Sequence, residues 1–255
     1  MKIILLGQNG FLGQDLLTYN RYFLNLEIVS IPTENRWPEI GFKKFIYESN
    51  ADIILNCIST NDFSNSVLTK SIHYELPIWI SENFTGKLIN FSSDVSFQLS
   101  KGNLIDSKYK YYAENKLEAE LNLHKKSNTM TICTSIIGLS KKKSNLINRF
   151  FFENTEDIIY GYKNVFWSGM TTLQLYHEIC NLSDFKSINN NSLILSSDCV
   201  SMYDLFKSIN TIFNFGKIIA PSKKTILDNR CMPSSYPLPN MEKQLYELNN
   251  FYRTH

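Results

Sequence analysis

The sequence predicts an α/β fold with a doubly wound parallel sheet. The first observation is an alternation of apolar runs, which are typical of buried parallel strands, with stretches of helical periodicity. The second is a set of three glycines, each three residues from the last, between the first apolar run and the first helical stretch. The apolar runs lie at residues 3–6, 26–31, 51–58 and 87–91.

A glycine-containing turn follows the first apolar run. Residues 2–16 (KIILLGQNGFLGQDL) have the pattern of strand, turn and helix in which such glycines bind a dinucleotide. Gly7 allows a tight turn, Gly10 lets backbone N–H groups approach a phosphate, and Gly13 lets the helix pack close to the strand. The helix N-terminus adds free N–H donors and about half a positive charge. A plain strand-to-helix turn is the alternative. The residues of this segment that we assign to cofactor binding are Gly7, Asn9, Gly10, Phe11, Leu12 and Gly13.

Length and charge limit the class of protein. A chain of 255 residues is long enough for one large domain, or for one domain with a smaller lobe. The formal net charge of +2 gives no strong field, so we expect neither nucleic acid nor a membrane as a partner. The apolar run after Lys2 is too short for a secretory signal peptide, and no stretch reaches the roughly 20 apolar residues of a membrane span.

The cysteines and histidines predict no metal site and no disulfide scaffold. The five cysteines are scattered without any C-x-x-C spacing, and the four histidines, His73 among them, lie far apart. We therefore expect free thiols, a reducing cytoplasmic location, and histidines that pack or face solvent.

The turn after the second strand bears on the choice of cofactor. In a dinucleotide fold, an acid at this strand end binds a free ribose 2′-hydroxyl, whereas a nearby arginine accommodates a 2′-phosphate. The strand ends in Ser30 and Ile31, and the turn contains both Glu34 and Arg36. We predict NADP(H) in preference to NAD(H), through Arg36. Glu34 with NAD(H) is the alternative.

The next elements continue the alternation. Residues 42–50 have the pattern of an amphipathic helix, residues 51–58 that of the third strand, and residues 66 to about 80 that of another helix. Ligands of open α/β sheets bind at the carboxyl ends of the strands. The residues that we assign to the cofactor after the third strand are Cys57, Ile58 and Ser59.

The fourth strand and the helix after it carry the predicted reaction chemistry. The strand runs into Ser93, and Tyr112 and Lys116 lie four residues apart in a helical stretch (YYAENKLEAELNL), so they share one face. An ammonium beside a phenol stabilises the phenolate and so lowers the pKa of the phenol. Tyr112 can then pass a proton to a substrate oxygen near pH 7. Ser93 would donate to the substrate carbonyl, and Lys116 would also bind the nicotinamide ribose. An ordinary i,i+4 pair on a solvated face is the alternative.

These motifs resemble those of the extended short-chain dehydrogenase/reductases, and within them the dTDP-4-dehydrorhamnose reductase family. The similar segments are GQNGFLG, NCIST, FSSDVSF and YYAENK, followed by residues 131–138, 159–180 and 228–230. The resemblance implies a Rossmann fold with a small C-terminal substrate lobe. The implied NAD(P)-binding domain comprises residues 1–138 with 164–198, and the implied substrate lobe comprises residues 139–163 with 199–255.

The resemblance also implies an activity. It is the NAD(P)H-dependent reduction, at C4, of a nucleotide-linked 4-keto-6-deoxy sugar for surface polysaccharide (O-antigen or capsule) synthesis, in a chain that we expect to form a homodimer. Ser93 stands where threonine is common, Ala113 replaces a usual glycine, and Cys133 stands where arginine is common, so the sugar stays open. The alternatives are a nucleotide-sugar epimerase or dehydratase of the same superfamily, and a non-catalytic NADP(H)-binding regulator. The expected substrate-binding residues are Asp94, Ser135, Trp167 and Arg230.

The rest of the chain supports coarser predictions. We expect a solvated loop at residues 141–143, core packing at residues 150–152, a turn at residues 189–191 before a strand at residues 193–195, and an extended linker at residues 233–239.

Overall fold

The structure is a computed structural model that describes residues 2–32, 34–103, 105–139, 145–182, 191–223 and 227–255. The strands in these ranges are β1 (Lys2–Leu6), β2 (Glu27–Ser30), β3 (Ile53–Asn56), β4 (Lys87–Ser93), β5 (Thr129–Thr134), β6 (Ile136–Ile137), β7 (Ile158–Tyr162), β8 (Val165–Trp167), β9 (Met170–Thr171), β10 (Ser192–Ile194), β11 (Val200–Ser201), β12 (Ile218–Ser222) and β13 (Asp228–Arg230).

The α-helices in these ranges are α1 (Phe11–Phe23), α2 (Ile40–Glu48), α3 (Ser66–Lys70), α4 (Leu76–Asn83), α5 (Asp94–Ser100), α6 (Lys110–Leu123), α7 (Thr172–Asn181), α8 (Met202–Phe213) and α9 (Met241–Thr254). Shorter helical turns are a π turn at Ser71–Glu75, a 3₁₀ turn at Ser107–Tyr109 and a π turn at Asn148–Phe152.

The chain forms two compact units. The first comprises Met1–Cys133 and Cys180–Leu193, and the second comprises Thr134–Ile179 and Ile194–His255. The assignment of residues 1–138 with 164–198 to cofactor binding, and of residues 139–163 with 199–255 to substrate binding, stays a prediction.

A six-stranded sheet with the order β10-β5-β4-β3-β1-β2 organises the first unit. Within it, β1 pairs in parallel with β2 and with β3, and β3 pairs in parallel with β4. The chain runs outward from β1 to β2 and then crosses back to β3, so the winding reverses between β1 and β3. The predicted doubly wound parallel sheet is confirmed, and the reversal marks the sheet edge where such folds bind ligands.

The parallel strands are buried on both faces. Ile3, Ile4, Leu5 and Leu6 of β1 are all at most 1% exposed. This two-sided burial is the reason that the strands appear in the sequence as continuous apolar runs rather than as alternating ones. The buried cluster on one face of the sheet is Ile4, Leu6, Ile31, Phe42, Ile46, Ile54, Leu76, Ile80, Phe84, Leu88 and Leu123.

The helix expected from residue 66 to about residue 80 is present, and it contains a π turn. α3, the π turn Ser71–Glu75 and α4 follow one another without a break. Pro77 has no backbone N–H, so it cannot bond the carbonyl of His73 four residues earlier. The N–H of Leu76 donates to the carbonyl of Ser71, five residues earlier, which widens the helix at His73.

The second unit contains small sheets ordered β11-β8-β13, β12-β7 and β6-β9. The expectation of core packing at residues 150–152 holds for Phe151, which is buried, and is wrong for Phe152, which is 61% exposed. The loop predicted at residues 141–143, and residues 189 and 190 of the predicted turn, lie outside the described residues. The core of this unit is Ile137, Ile147, Phe151, Ile159, Trp167, Leu205, Phe206, Ile209, Ile212, Met241 and Leu245.

One expectation about the cysteines is wrong. Cys199 and Cys231 form a disulfide across 32 residues of sequence, with their Cα atoms 5.5 Å apart. The fold brings β11 and β13 to either side of β8, which places these two distant cysteines close together. Cys57, Cys133 and Cys180 are not joined in disulfides, as expected.

Among the described residues, no helix combines the length and the apolar character that crossing a membrane requires.

Candidate active site

The glycine turn has the geometry that its spacing predicted. Gly7 adopts a left-handed φ of +80°, and a Cβ there would lie 2.7 Å from the carbonyl carbon of Cys57. A Cβ on Gly13 would overlap the carbonyl oxygen of Gly7. A Cβ on Gly10 would meet a single heavy atom within 4 Å, the Gly7 carbonyl oxygen at 3.2 Å. Gly7 and Gly13 therefore allow close backbone packing, whereas the space in front of Gly10 is open, as a pyrophosphate site requires.

The end of β3 lies against this turn. The N–H of Cys57 donates to the carbonyl of Leu6 at 3.0 Å. Asn56 is buried between the strands: its amide donates to the Asn90 side-chain oxygen at 2.9 Å, and its own oxygen accepts from the N–H of Ile58 at 3.3 Å. The fold thus brings the glycine turn and the loop at Cys57 and Ile58 together, and Asn56 shapes that loop.

The end of β2 is tied to the same turn. The Gln8 side chain donates to the carbonyl of Ile31 at 2.5 Å. Glu34 and Arg36 are both exposed in the turn that follows. The carboxyl end of β2 itself carries no acidic side chain, which fits a ribose 2′-phosphate better than a free hydroxyl.

Ser93 ends β4 and also caps α5. Its hydroxyl accepts from the N–H of Ser96 at 3.4 Å, and the Ser96 hydroxyl accepts from the N–H of Ser93 at 3.2 Å. The Cys133 thiol donates to the Ser93 carbonyl at 3.3 Å. Ser93 is also buried, at 7% exposed. Burial and these hydrogen bonds hold it in position before any substrate binds.

Tyr112 and Lys116 lie on one face of α6, as predicted. The Lys116 Nζ atom is 5.4 Å from the centroid of the Tyr112 ring, and it donates to the backbone carbonyl of Phe91 in β4. The Ser93 side chain lies within hydrogen-bonding reach of Tyr112 and acts to lower its pKa. The structure therefore brings together the three residues predicted to be catalytic, and the solvated-pair alternative does not hold because Lys116 is 9% exposed.

Burial decides the protonation states at this site. It raises the pKa of Tyr112 above its ordinary value, the negative charge of Asp94 adds to that rise, and the Ser93 hydrogen bond opposes it. Burial also lowers the pKa of Lys116 to about 8. The expectation that the ammonium would favour the phenolate is therefore wrong here, because desolvation outweighs it. Tyr112 is a neutral phenol with a proton to donate.

The surroundings of Tyr112 include residues that sequence patterns did not identify. The Phe63 ring packs against the Tyr112 ring at a centroid distance of 4.8 Å, and Phe63 also contacts Tyr109 at 5.4 Å. The His73 ring stands perpendicular to the Tyr112 ring, also at 4.8 Å. A lone histidine in an apolar helix gives no sequence signal of such a contact. The available sequence clue was Pro77, four residues after His73. A proline at this spacing cannot bond the His73 carbonyl, which indicates an irregular helical turn at His73.

The residues expected to bind substrate fall in both units. Asp94 begins α5 in the first unit and lies close enough to Tyr112 to affect its pKa. In the second unit, Trp167 is 8% exposed and its indole N–H donates to the Ser135 hydroxyl at 2.8 Å. Arg230 pairs with Trp167 in the register of β13 and β8. The Arg230 guanidinium forms an ion pair with Asp228 at 3.1 Å. Their role in substrate binding stays a prediction.

The sheet, the glycine turn and the helix that follows it define a Rossmann-type dinucleotide-binding fold. The same fold is found in solved nucleotide-sugar reductases. A dTDP-4-dehydrorhamnose reductase from Clostridium acetobutylicum matches with a TM-score of 0.79 at 15% identity, over 99% of this chain and 100% of that one. The Bacillus anthracis dTDP-4-dehydrorhamnose reductase in complex with NADP matches with a TM-score of 0.80 at 17% identity, over 99% of each chain.

A third solved structure with this fold is a reductase of a different nucleotide sugar. A GDP-mannoheptose C4 reductase from Campylobacter jejuni, with NADP bound, matches with a TM-score of 0.74 at 11% identity, over 99% of this chain and 98% of that one. No protein-family model and no curated protein sequence matches the chain. At these identities the matches establish the fold.

Proposed function

We propose that this protein is an NADPH-dependent reductase that reduces the C4 keto group of a nucleotide-linked 4-keto-6-deoxy sugar, a precursor of surface polysaccharide. The observation that carries the proposal is the buried phenol of Tyr112, which lies within hydrogen-bonding reach of Ser93 and one helical turn from Lys116. Solved structures with the same fold over nearly the whole chain are nucleotide-sugar reductases, two of them with NADP, which supports this substrate class and this cofactor.

The described residues fit a dinucleotide. The open space at Gly10 admits a pyrophosphate, and the first turn of α1 has no side-chain cap at Gly10, so its N–H groups are available to phosphate oxygens. Arg36 would hold a ribose 2′-phosphate, and Cys57, Ile58 and Ser59 would line the cofactor along β3. When bound, NADPH supplies a hydride to the carbonyl carbon.

The protein's own residues handle the proton. Ser93 orients the substrate carbonyl through a hydrogen bond, and the Tyr112 O–H transfers its proton to the carbonyl oxygen as negative charge develops there. The O–H bond of Tyr112 breaks as the new O–H bond of the sugar forms. Lys116 then stabilises the tyrosinate through its positive charge, and a proton from solvent restores the phenol.

The proposal includes the setting in which the enzyme works. We place it in the cytoplasm, where nucleotide sugars and NADPH are made, and we expect a homodimer. Size-exclusion chromatography with light scattering measures the oligomeric state directly.

The decisive experiment is a panel of nucleotide-linked 4-keto sugars with NADPH deuterated at the transferable position. We expect loss of NADPH absorbance with at least one member, and a product that carries one deuterium at C4. An epimerase would convert the sugar without net consumption of NADPH, and a dehydratase, which forms a 4-keto group instead of consuming one, would leave the panel unreduced. A regulator would bind NADPH without turnover. Either result would refute the proposed reduction.

A further inference from the structure

His73 is a buried histidine whose polar atom has no partner in the protein. The residue is 3% exposed, and its Nε2 atom is buried without a hydrogen bond. Buried polar atoms are almost always paired with protein, water or a ligand, because leaving one unpaired is costly. Thr131 Oγ1 is the other such side-chain atom among the described residues, and His73 is the one that contacts the Tyr112 ring.

The place of His73 in the fold links it to the site. It lies in the middle of the π turn Ser71–Glu75, and such turns occur frequently at functional sites. Its ring stands at 88° to the Tyr112 ring, with 4.8 Å between the centroids. An edge-to-face contact of this kind restrains the orientation of both rings. His73 therefore packs directly against the proposed proton donor.

Lys116 lies close to the same imidazole. Its positive charge adds to burial in lowering the pKa of His73 to about 2, so the ring is neutral and has one acceptor nitrogen. An ammonium has three N–H donors, and the Phe91 carbonyl is the one acceptor that Lys116 bonds among the described residues. An imidazole nitrogen without a partner and an ammonium with donors to spare thus both lie next to Tyr112, close enough for the Lys116 charge to affect His73.

We propose that His73 is a positioning residue: its Nε2 atom shares a hydrogen bond with a hydroxyl group bound beside the Lys116 ammonium, and this contact holds Lys116 and Tyr112 in place for proton transfer. The hydroxyl belongs either to an ordered water or to the nicotinamide ribose of the cofactor, both of which donate and accept hydrogen bonds. The inference rests on the proposed reductase function and deepens it.

Two matched variants separate hydrogen bonding from packing. His73→Gln keeps a polar group near the position of Nε2, whereas His73→Met has a similar length and shape without a strong hydrogen-bonding group. We expect His73→Met to lose about one to two decades of kcat, as for a lost hydrogen bond near a charged group, and His73→Gln to retain most of it. His124→Gln, an exposed position at the end of α6, is the control and should match the wild type.

Affinity for NADPH without substrate identifies the source of the hydroxyl. If the group is the ribose hydroxyl, His73→Met weakens NADPH binding by a similar factor, and a cofactor lacking that hydroxyl binds both variants alike. If the group is a water, NADPH affinity is unchanged and kcat alone falls. Either pattern supports the proposal.

The opposite results are equally clear. Equal kcat and equal NADPH affinity in His73→Met and His73→Gln would overturn the positioning role. If His73→Met does not fold, His73→Phe repeats the test, because it keeps a ring against Tyr112 and removes the nitrogen; wild-type kinetics in it would overturn the proposal. A wild-type chain that reduces no sugar of the panel defeats the proposed function first, and this inference with it.

Discussion

Ser93 and Ser96 cap each other across the first turn of α5, each hydroxyl accepting a hydrogen bond from the other residue's backbone N–H. The hydroxyl proposed to hold the substrate carbonyl therefore also stabilises a helix N-terminus. Stability and turnover should respond differently when each serine is replaced.

Ser93→Ala should lower the free energy of unfolding by roughly 1 kcal/mol, the usual cost of a lost N-cap, and should also lower kcat. Ser96→Ala should cost at least as much stability, because its hydroxyl also bonds Ser92 and the Ser93 carbonyl, with a smaller effect on kcat. Urea unfolding and steady-state kinetics of both variants check this. Equal losses of kcat would mean that Ser93 acts through the cap alone.

Tyr112→Phe should remove nearly all turnover while NADPH still binds, because the ring remains and the proton donor is lost. General acid catalysis is typically worth about 10²–10⁴-fold, and we expect a loss within or above that range in single-turnover hydride transfer. Tyr111→Phe is the control, since Tyr111 is adjacent in sequence and 43% exposed. A dead Tyr111→Phe beside an active Tyr112→Phe would show that the wrong phenol was chosen.

Lys116→Met should lower turnover and yet raise stability at neutral pH. Burial lowers the pKa of Lys116 from its ordinary value near 10.4 to about 8, so below pH 8 the fold carries a buried charge that the unfolded chain solvates. The unfolded state binds more protons between the two values, and wild-type stability should therefore rise with pH from about 8 to about 10. Thermal melts across this range should show the rise in the wild type and its absence in Lys116→Met.

Gly10→Val should abolish NADPH binding and leave the chain folded. A Cβ at this position would meet only the Gly7 carbonyl oxygen, at 3.2 Å, a tight contact that a shift of a few tenths of an ångström would relieve. The rest of the added side chain would extend into the open space where the pyrophosphate would lie. Gly13→Ala should instead disrupt the fold, because its Cβ would overlap backbone atoms of Gly7 and Gln8. Fluorescence titration with NADPH and circular dichroism distinguish the two. Unchanged NADPH affinity in Gly10→Val would contradict the dinucleotide site.

Arg36→Ala should weaken NADPH more than NADH, because only NADPH offers a 2′-phosphate. A charge-assisted contact of this kind is worth roughly 1.5–3 kcal/mol, or about one to two decades in affinity. Arg21→Ala, on the exposed side of α1, is the charge-matched control and should change neither affinity. Equal losses for both cofactors would favour Glu34 with NADH.

Individual strands, turns and helices could be predicted because each depends on the spacing of residues that are close together in the sequence. Glycine spacing and the apolar run fix the strand, turn and helix from β1 to α1, and four-residue spacing places Tyr112 and Lys116 on one face of α6. The strand bounds shifted by a few residues: β4 extends to Ser93, whereas β3 stops at Asn56, where the chain turns along the sheet edge.

The sequence by itself determined the order of strands and helices, the glycine turn and the placement of Tyr112 and Lys116 on one helix face, since each depends on residues that are close together in the chain. Only the tertiary structure decided the neutral state of Tyr112, the contact of His73 with its ring, the hydrogen bond from Trp167 to Ser135 and the Cys199–Cys231 disulfide. The physical reason is that desolvation and side-chain contact depend on which distant segments of the chain pack together. The spacing of neighbouring residues does not reveal those contacts.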